Sequence, residues 1–276
     1  PLAVTSLLPI VLFPMLEVSS ASEVSRAYGH PIIFLFMGGF VLAIGMERWL
    51  LHKRIALVIL RSFGSDARLL VAGFMVASAF LSMWVTNTAT TMMLMPIGIS
   101  VFMLLQEKSQ SVKEFDRLLP ALLLGIAYSS SIGGLGTIVG TVPNGILAAF
   151  LRDAHGVNLS FTDWLVIGLP IVIVYLPVCW YVLVFLVFPL KKIDIETGQH
   201  YIKAELAKLG RLRGGERLVA VVFVATALAW TFRPVLASVL NLPGLSDTTI
   251  SIAAAIMLFI IPVDFKAGRF LLEWSE

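Results

Sequence analysis

The sequence predicts an all-α polytopic membrane protein, and three observations carry that prediction. Of its 276 residues, 58% are hydrophobic and 13% charged, with a mean hydropathy of +0.94. Soluble domains carry about 25% charged residues, so a soluble globular domain is excluded. Apolar segments recur near 1–16, 30–47, 69–82, 89–105, 118–150, 163–190, 217–240 and 248–263. At ~20 residues per span, this length allows roughly six to eight embedded segments. The third observation is the placement of charge. Loops 48–68, 106–117, 191–216 and the tail from 264, with the adjoining span ends, hold seventeen Lys and Arg, while the opposite side holds Arg26, Arg152 and Arg233. The positive-inside rule then puts the basic side in the cytoplasm. The net charge of +3 adds little to this, and no nucleic-acid partner is expected.

Taken in order, 1–16 and 30–47 read as apolar spans. Residues 47–61 mix Arg48, His52, Lys53, Arg54 and Arg61 with Trp49 and aliphatic side chains, which suits a helix lying in the membrane interface. The next two segments, 69–82 and 89–105, are short: the first reaches only ~21 Å at ~1.5 Å per residue, against a hydrocarbon core of ~30 Å. Between them lies Ser82-Met83-Trp84-Val85-Thr86-Asn87-Thr88-Ala89-Thr90-Thr91. Backbone leaves the helix at membrane depth only where protein or a water-filled cavity satisfies its polar groups. The pair therefore reads as a hairpin that enters from the cytoplasm and turns back at mid-membrane, the geometry of a transport site. Ser82 and Thr86 stand one helical turn apart beside the Asn87 amide, a hard-oxygen set suited to a cation such as sodium. The helix restarting near Thr88 turns its N-terminal N–H groups toward the same point, where an anion is stabilised without a buried Lys or Arg.

Segment 118–150 contains Tyr128-Ser129-Ser130-Ser131-Ile132-Gly133-Gly134-Leu135-Gly136-Thr137-Ile138-Val139-Gly140-Thr141-Val142-Pro143-Asn144. Its glycines and proline favour a helix broken at mid-membrane, which frees carbonyls for a cation and N–H groups for an anion. The alternative is a close helix contact through Gly136 and Gly140, four residues apart. No Gly-Lys-Ser/Thr follows, so the run is not a phosphate loop. Segment 163–190 spans the bilayer, and the lone Cys179 within it is a small packing residue with no disulfide partner in the chain. Residues 191–216 alternate charge signs around Gly198, Gly210, Gly214 and Gly215 and form a solvated cytoplasmic connector. His30, Glu47, Arg233 and Asp264 lie near span ends and take structural roles. The other histidines, His52, His155 and His200, also fall near loops, away from the polar clusters, so hydrolytic chemistry is the weaker reading.

At the two polar clusters the chain resembles the divalent anion/sodium symporter family, the sodium-coupled dicarboxylate and citrate transporters. The family marker is a Ser-Asn-Thr triplet at a re-entrant hairpin tip, represented here by Thr86-Asn87-Thr88. It is followed by a Gly-rich unwound segment ending in a Pro-Asn signature, here Gly140-Thr141-Val142-Pro143-Asn144. The likeness extends to Pro31–Phe40 and to Ile261-Pro262-Val263-Asp264. Thr86 keeps the hydroxyl of the usual Ser and adds a methyl, and Val142 stands where Pro or a small residue is usual. The resemblance implies a sodium ion held by Ser82, Thr86, Asn87 and the backbone carbonyl of Gly140, with Asn87, Thr88 and Thr141 contacting a substrate carboxylate. It implies an inverted-repeat transporter working by an elevator-like movement, usually as a homodimer.

Only one triplet is found. Ser246-Asp247-Thr248-Thr249 sits in a polar loop before a span and does not supply the second, so the chain is expected to hold the first repeat and the start of the second. The expected units are scaffold spans with the interfacial helix at 1–68; transport elements at 69–150, comprising the hairpin 69–105 and broken helix 118–150; a span at 151–190; the connector at 191–216; and opening spans of the second repeat at 217–276. The expected activity is sodium-coupled symport of di- or tricarboxylates in a bacterial inner membrane. A sodium-independent exchanger or a sulfate or other anion permease is the alternative within transport. An integral-membrane enzyme or a structural subunit is less favoured, since the mid-membrane polar residues are nearly all uncharged.

Overall fold

The computed structural model describes residues 1–64, 66–108, 116–191, 196–265 and 268–274; Lys113, Lys192 and Lys266 of the basic side lie outside the described residues. Helices dominate, and a two-stranded antiparallel ribbon, β1 (Pro262–Asp264) with β2 (Arg269–Phe270), follows the last of them. The chain opens with α1 (Leu2–Thr5), α2 (Leu8–Met15), α3 (Ala21–Tyr28) and α4 (Pro31–Arg48). The first apolar segment is thus interrupted, because Pro9 has no N–H with which to continue a helix across Leu7. His30 caps α4, its Nδ1 accepting from the Ile32 N–H at 3.2 Å. Leu50 then takes a left-handed conformation (φ 55°) and turns the chain into α5 (Leu51–Arg61), with Leu51, Ala56, Leu57 and Leu60 buried.

The hairpin consists of α6 (Ala67–Ser82) and α7 (Asn87–Lys108). Here the structure corrects the expectation of two short arms. α6 has 16 residues, about 24 Å, but α7 has 22, about 33 Å, and is long enough to cross a bilayer. α7 restarts at Asn87, one residue before the expected start at Thr88, and these two residues form its first turn, where N–H groups need no helical acceptor. Pro96 is accommodated inside the helix. The segment 118–150 is broken as expected into α8 (Leu118–Gly134) and α9 (Val142–His155). Gly136 and Gly140 lie in the turn between them, which removes the alternative of a continuous helix with a Gly-mediated contact.

Next come α10 (Phe161–Tyr181), continued by a π-helical turn over Val182–Val187, then α11 (Glu196–Lys208), α12 (Gly214–Thr231), α13 (Arg233–Val239) and α14 (Asp247–Ile260). The apolar run 217–240 splits at Phe232 because Pro234 fits only the first turn of a new helix. Ser246 and Thr249 form a reciprocal capping box on α14, as suits a loop entering a span. Four helical stretches are long and apolar enough to cross a membrane, Ala21–Arg48, Asn87–Glu107, Phe161–Val187 and Gly214–Thr231. The protein is an all-α polytopic integral membrane protein.

Lipid tails are as apolar as Leu, so close backbone approach matters more to helix association here than removal of side chains from water. α6 and α8 pack at Gly133, where an added Cβ would lie 2.1 Å from the Ala79 carbonyl oxygen. α4 and α14 meet at Gly38, against Ser251, whose hydroxyl donates to the Leu35 carbonyl at 2.7 Å. One apolar core joins α5, α6, α7, α8 and α11 through Leu57, Phe74, Leu94, Leu122 and Ile202. A second joins α4, α12 and α14 through Met46, Val219, Phe223 and Leu258.

Candidate functional site

The polar site forms where two helix ends face two helix starts. α6 ends at Ser82, the chain turns through Met83–Thr86, and α7 starts at Asn87. The Thr86 hydroxyl accepts from the Ala89 N–H at 3.3 Å, which lets the helix restart immediately after the turn. Ser82 is fully buried, and its hydroxyl donates to Asn87 Oδ1 at 2.6 Å, closing the turn on itself.

The break after α8 supplies the opposite wall. Asn144 is buried near the start of α9, and its Nδ2 donates to the carbonyls of Gly134 and Thr137, both at 2.8 Å. These two bonds satisfy carbonyls that the broken helix leaves without helical partners. Trp164 Nε1 donates to the Leu135 carbonyl at 3.0 Å, and the Thr137 hydroxyl donates to the Met83 carbonyl in the hairpin turn. The broken helix is therefore fastened directly to the hairpin.

Glycine at 140 is a steric requirement of the backbone, and glycine at 134 leaves room for the Asn87 amide. A Cβ on Gly134 would stand 2.4 Å from Asn87 Oδ1; one on Gly140 would stand 2.5 Å from the Gly134 carbonyl and 3.0 Å from the Ser82 carbonyl. Ser82, Asn87, Gly134 and Gly140 are thus brought together. Thr86 and Thr88 are exposed, the first as a cap and the second in the opening turn of α7. Thr141 is half-buried, with extended backbone (φ −148°, ψ 144°), at the N-cap position of α9. Among the described residues no hydrogen bond joins the side chains of Thr88 or Thr141 to the Ser82–Asn87 pair.

None of these groups is charged. The ends of α6 and α8 contribute carbonyl oxygens, and the starts of α7 and α9 contribute unpaired N–H groups and positive dipole ends. One small volume thus offers oxygen ligands for a hard cation beside donors for an anion. Of the ionisable residues near span ends, His30 caps α4 and Arg233 Nε pairs with Asp247 Oδ1 at 3.2 Å, whereas Glu47, with His52, lines a small cavity against Val85, Ala89 and Thr90 of the hairpin.

Sequence reasoning missed a buried hydroxyl network behind the tip. Ser78 and Ser130 hydroxyls lie 2.6 Å apart, and each is also 2.9 Å from the Ile126 carbonyl, so one donates to the other while the other donates to the carbonyl. Thr91 bridges Ser130 (3.0 Å) and the Asn87 carbonyl (2.8 Å), tying the first turn of α7 to α8. The available signal was the four-residue spacing of Ser78 and Ser82 in an otherwise apolar helix. Trp84 of the tip joins an aromatic cluster. It packs against Phe161, with ring centroids 6.0 Å apart, and edge-on against Phe223 at 5.0 Å, while Phe161 stacks on Trp230 at 5.0 Å.

Comparison with known proteins matches residues 1–275 to the citrate transporter family. The chain is also similar to the sodium-dependent dicarboxylate transporter SdcS of Staphylococcus aureus strain USA300, with 40% identity over 280 residues, covering 100% of this chain and 54% of that protein. The protein of the same name from Staphylococcus saprophyticus is 39% identical over 283 residues, again covering 100% of this chain and 54% of the relative. The chain spans about half the length of the curated relatives it matches. A match across essentially every residue, including the hairpin tip and the break that closes on it, fixes the assignment: this chain belongs to the citrate transporter family.

Proposed function

We propose that the full-length protein containing this chain is a sodium-coupled symporter of di- or tricarboxylates of the succinate, malate, fumarate or citrate type. The observation that carries this reading is the Ser82–Asn87 bond at 2.6 Å beside Gly134 and Gly140, where a Cβ added to either glycine would fall 2.4–3.0 Å from Asn87 or from the Gly134 and Ser82 carbonyls, in a site formed without charged side chains. Sodium, as a cargo ion, is held by the oxygens of Ser82, Thr86 and Asn87 and by the Gly140 carbonyl; a hard oxygen set of this kind fits it. On sodium binding the Ser82 hydroxyl, whose proton is donated to Asn87 Oδ1, offers its free lone pairs to the ion. The Asn87 amide and the start of α7 then meet a substrate carboxylate, with Thr88 and Thr141 at the two helix starts completing the contact. The names of the Staphylococcus relatives point to the same cargo.

In this reading 69–150 carries the cargo past a scaffold that includes 1–68, in an elevator-like movement. The span 151–190 and connector 191–216 lead to 217–276, the opening of a second repeat. The α4–α12–α14 core supports the pairing of α4 with 217–276, while α5 also joins the hairpin core and Trp84 of the tip packs against the α4–α12–α14 core. The working protein is a homodimer in a bacterial inner membrane.

The test is uptake of labelled succinate into proteoliposomes holding the full-length protein, with and without an inward sodium gradient, for the native protein and Asn87→Ala. Sodium-dependent uptake that the substitution abolishes supports the reading. Full-rate uptake without sodium overturns the coupling in favour of exchange, and competition by sulfate but not succinate overturns the cargo.

A further inference from the structure

A second site lies on the basic side of the molecule, away from the polar tip. α5 leaves the end of the α4 span through the left-handed turn at Leu50, which fixes it at the membrane boundary. On α5, Arg54, Val58 and Arg61 follow the i, i+4, i+7 spacing of one helical face. That face and α11 enclose a groove of about 270 Å³, in which Lys203 and Leu206 of α11 stand opposite them. The volume is near the lower end for small-ligand sites. No acidic side chain lines the groove among the described residues.

The nearby carboxylates are already engaged. Glu216 accepts from Arg54 Nε and Nη2, and Arg54 also donates to the carbonyls of Gly210 at 2.9 Å and Leu209 at 3.1 Å. Arg54 is therefore a fixed wall with its charge balanced. Glu205 is held by Lys53 at 3.1 Å and by Lys208 at 2.5 Å. Arg61 and Lys203 are exposed and enter no ion pair or hydrogen bond among the described residues. The groove thus presents two uncompensated cations above an apolar edge, Val58, which is 49% exposed.

We propose that this groove binds the phosphate of an anionic phospholipid, with Arg61 and Lys203 on the headgroup and the first acyl carbons along Val58 and Leu206. Free polyanions share the phosphate chemistry, but the apolar edge of Val58 and Leu206 beside the two cations, on a helix that follows the α4 span, favours a lipid. Basic side chains at an anionic interface contribute roughly fivefold each, or about 25-fold for the pair. Because α5 and α11 each touch the hairpin core, a bound lipid clamps the connector to the cytoplasmic end of the hairpin.

The experiment compares the purified full-length protein with an Arg61→Gln/Lys203→Gln double variant and with Arg26→Gln, an exposed basic residue on the other face. Bound phosphatidylglycerol and phosphatidylcholine are counted by native mass spectrometry. The expected result is preferential retention of phosphatidylglycerol by the native protein and by Arg26→Gln, weakened about 25-fold in the double variant. Equal retention in all three proteins overturns the site. Displacement of phosphatidylglycerol by millimolar inorganic phosphate, with no preference over phosphatidylcholine, overturns the lipid and leaves a free-anion site. An unchanged thermal midpoint in the double variant is expected from the exposure of both side chains; a large fall would make their role structural and overturn the proposal.

Discussion

The Ser82 hydroxyl and the Asn87 amide oxygen, five residues apart, hold each other at 2.6 Å across the hairpin turn. Both are oxygens that the proposed sodium ion takes as ligands: Ser82 spends its proton on the bond and keeps its lone pairs for the ion, while Asn87 Oδ1 has a second lone pair to offer. Replacing Ser82 by Ala removes one ligand and leaves Asn87 without its partner. Loss of one oxygen ligand to the ion is expected to cost on the order of 1.5–3 kcal/mol, as for an interaction with a charged group, which corresponds to roughly a 10- to 150-fold rise in the sodium concentration for half-maximal uptake. Ser82→Thr, which keeps the hydroxyl, restores part of that loss. The measurement is the sodium dependence of succinate uptake by the three full-length proteins; unchanged half-saturation in Ser82→Ala removes this side chain from the ion site.

Gly133 and Gly134 are adjacent, yet Ala at the two positions acts differently. At 133 the added Cβ meets the backbone of Ala79 at 2.1–2.6 Å, so α6 and α8 must separate. Overpacking of this kind costs about 1–3 kcal/mol, read as a lowered thermal midpoint. At 134 the Cβ meets the Asn87 amide oxygen at 2.4 Å, the end of a side chain that can rotate away. Gly134→Ala is therefore expected to keep most of its stability and lose sodium-dependent uptake. Equal thermal losses in both variants would contradict the distinction.

Asn144 donates to two carbonyls ten and seven residues earlier in the chain, and no other residue type of its size offers two N–H donors from one amide. Asn144→Asp keeps the shape but replaces the donors with acceptors that repel both carbonyls. The loss is expected to reach about 2 kcal/mol or more and to remove uptake with it, because the turn 135–141 carries Gly140. Thermal unfolding of the detergent-solubilised full-length protein checks this, with Asn144→Gln as the variant that keeps the donors at a different reach.

How far the sequence foretold this arrangement depends on the range of the interactions. The tip stood out because Thr86, Asn87 and Thr88 interrupt apolar surroundings, and the break because Gly133, Gly134, Gly136, Gly140 and Pro143 cluster within one segment. Those are local signals. The length of α7 was missed because its polar ends, Asn87 and Thr88 at the start and Gln106 to Lys108 at the finish, fall outside the apolar run 89–105, whereas a helix extends through polar residues at both ends. The Ser78–Ser130–Thr91 network joins three helices, and no spacing along the chain reveals which hydroxyls meet. The role of Asn144 escaped for the same reason: its partners are defined only once the helix has broken. The division of 217–240 had a local signal, Pro234, that apolar content masked.

The last prediction concerns the connector, where Glu205 of α11 receives Lys208 at 2.5 Å and Lys53 of α5 at 3.1 Å. The hydrogen bond from Lys208 is the largest influence holding the Glu205 carboxyl below its ordinary range, with Lys53 adding to it and burial opposing it. A depressed carboxylate binds fewer protons in the folded state than in the unfolded state. Its contribution to stability is therefore complete above the ordinary Glu range and is lost as pH falls through the depressed folded value. Glu205→Gln is expected to lower the thermal midpoint at neutral pH and to match the native protein once the pH is below that value. Lys53 reaches across from α5, so the same substitution loosens α11 from α5, and limited proteolysis after Lys208 should quicken at pH 7 in the variant and not at low pH. A difference between the two proteins that is constant with pH would assign the effect to packing of the side chain and not to its charge.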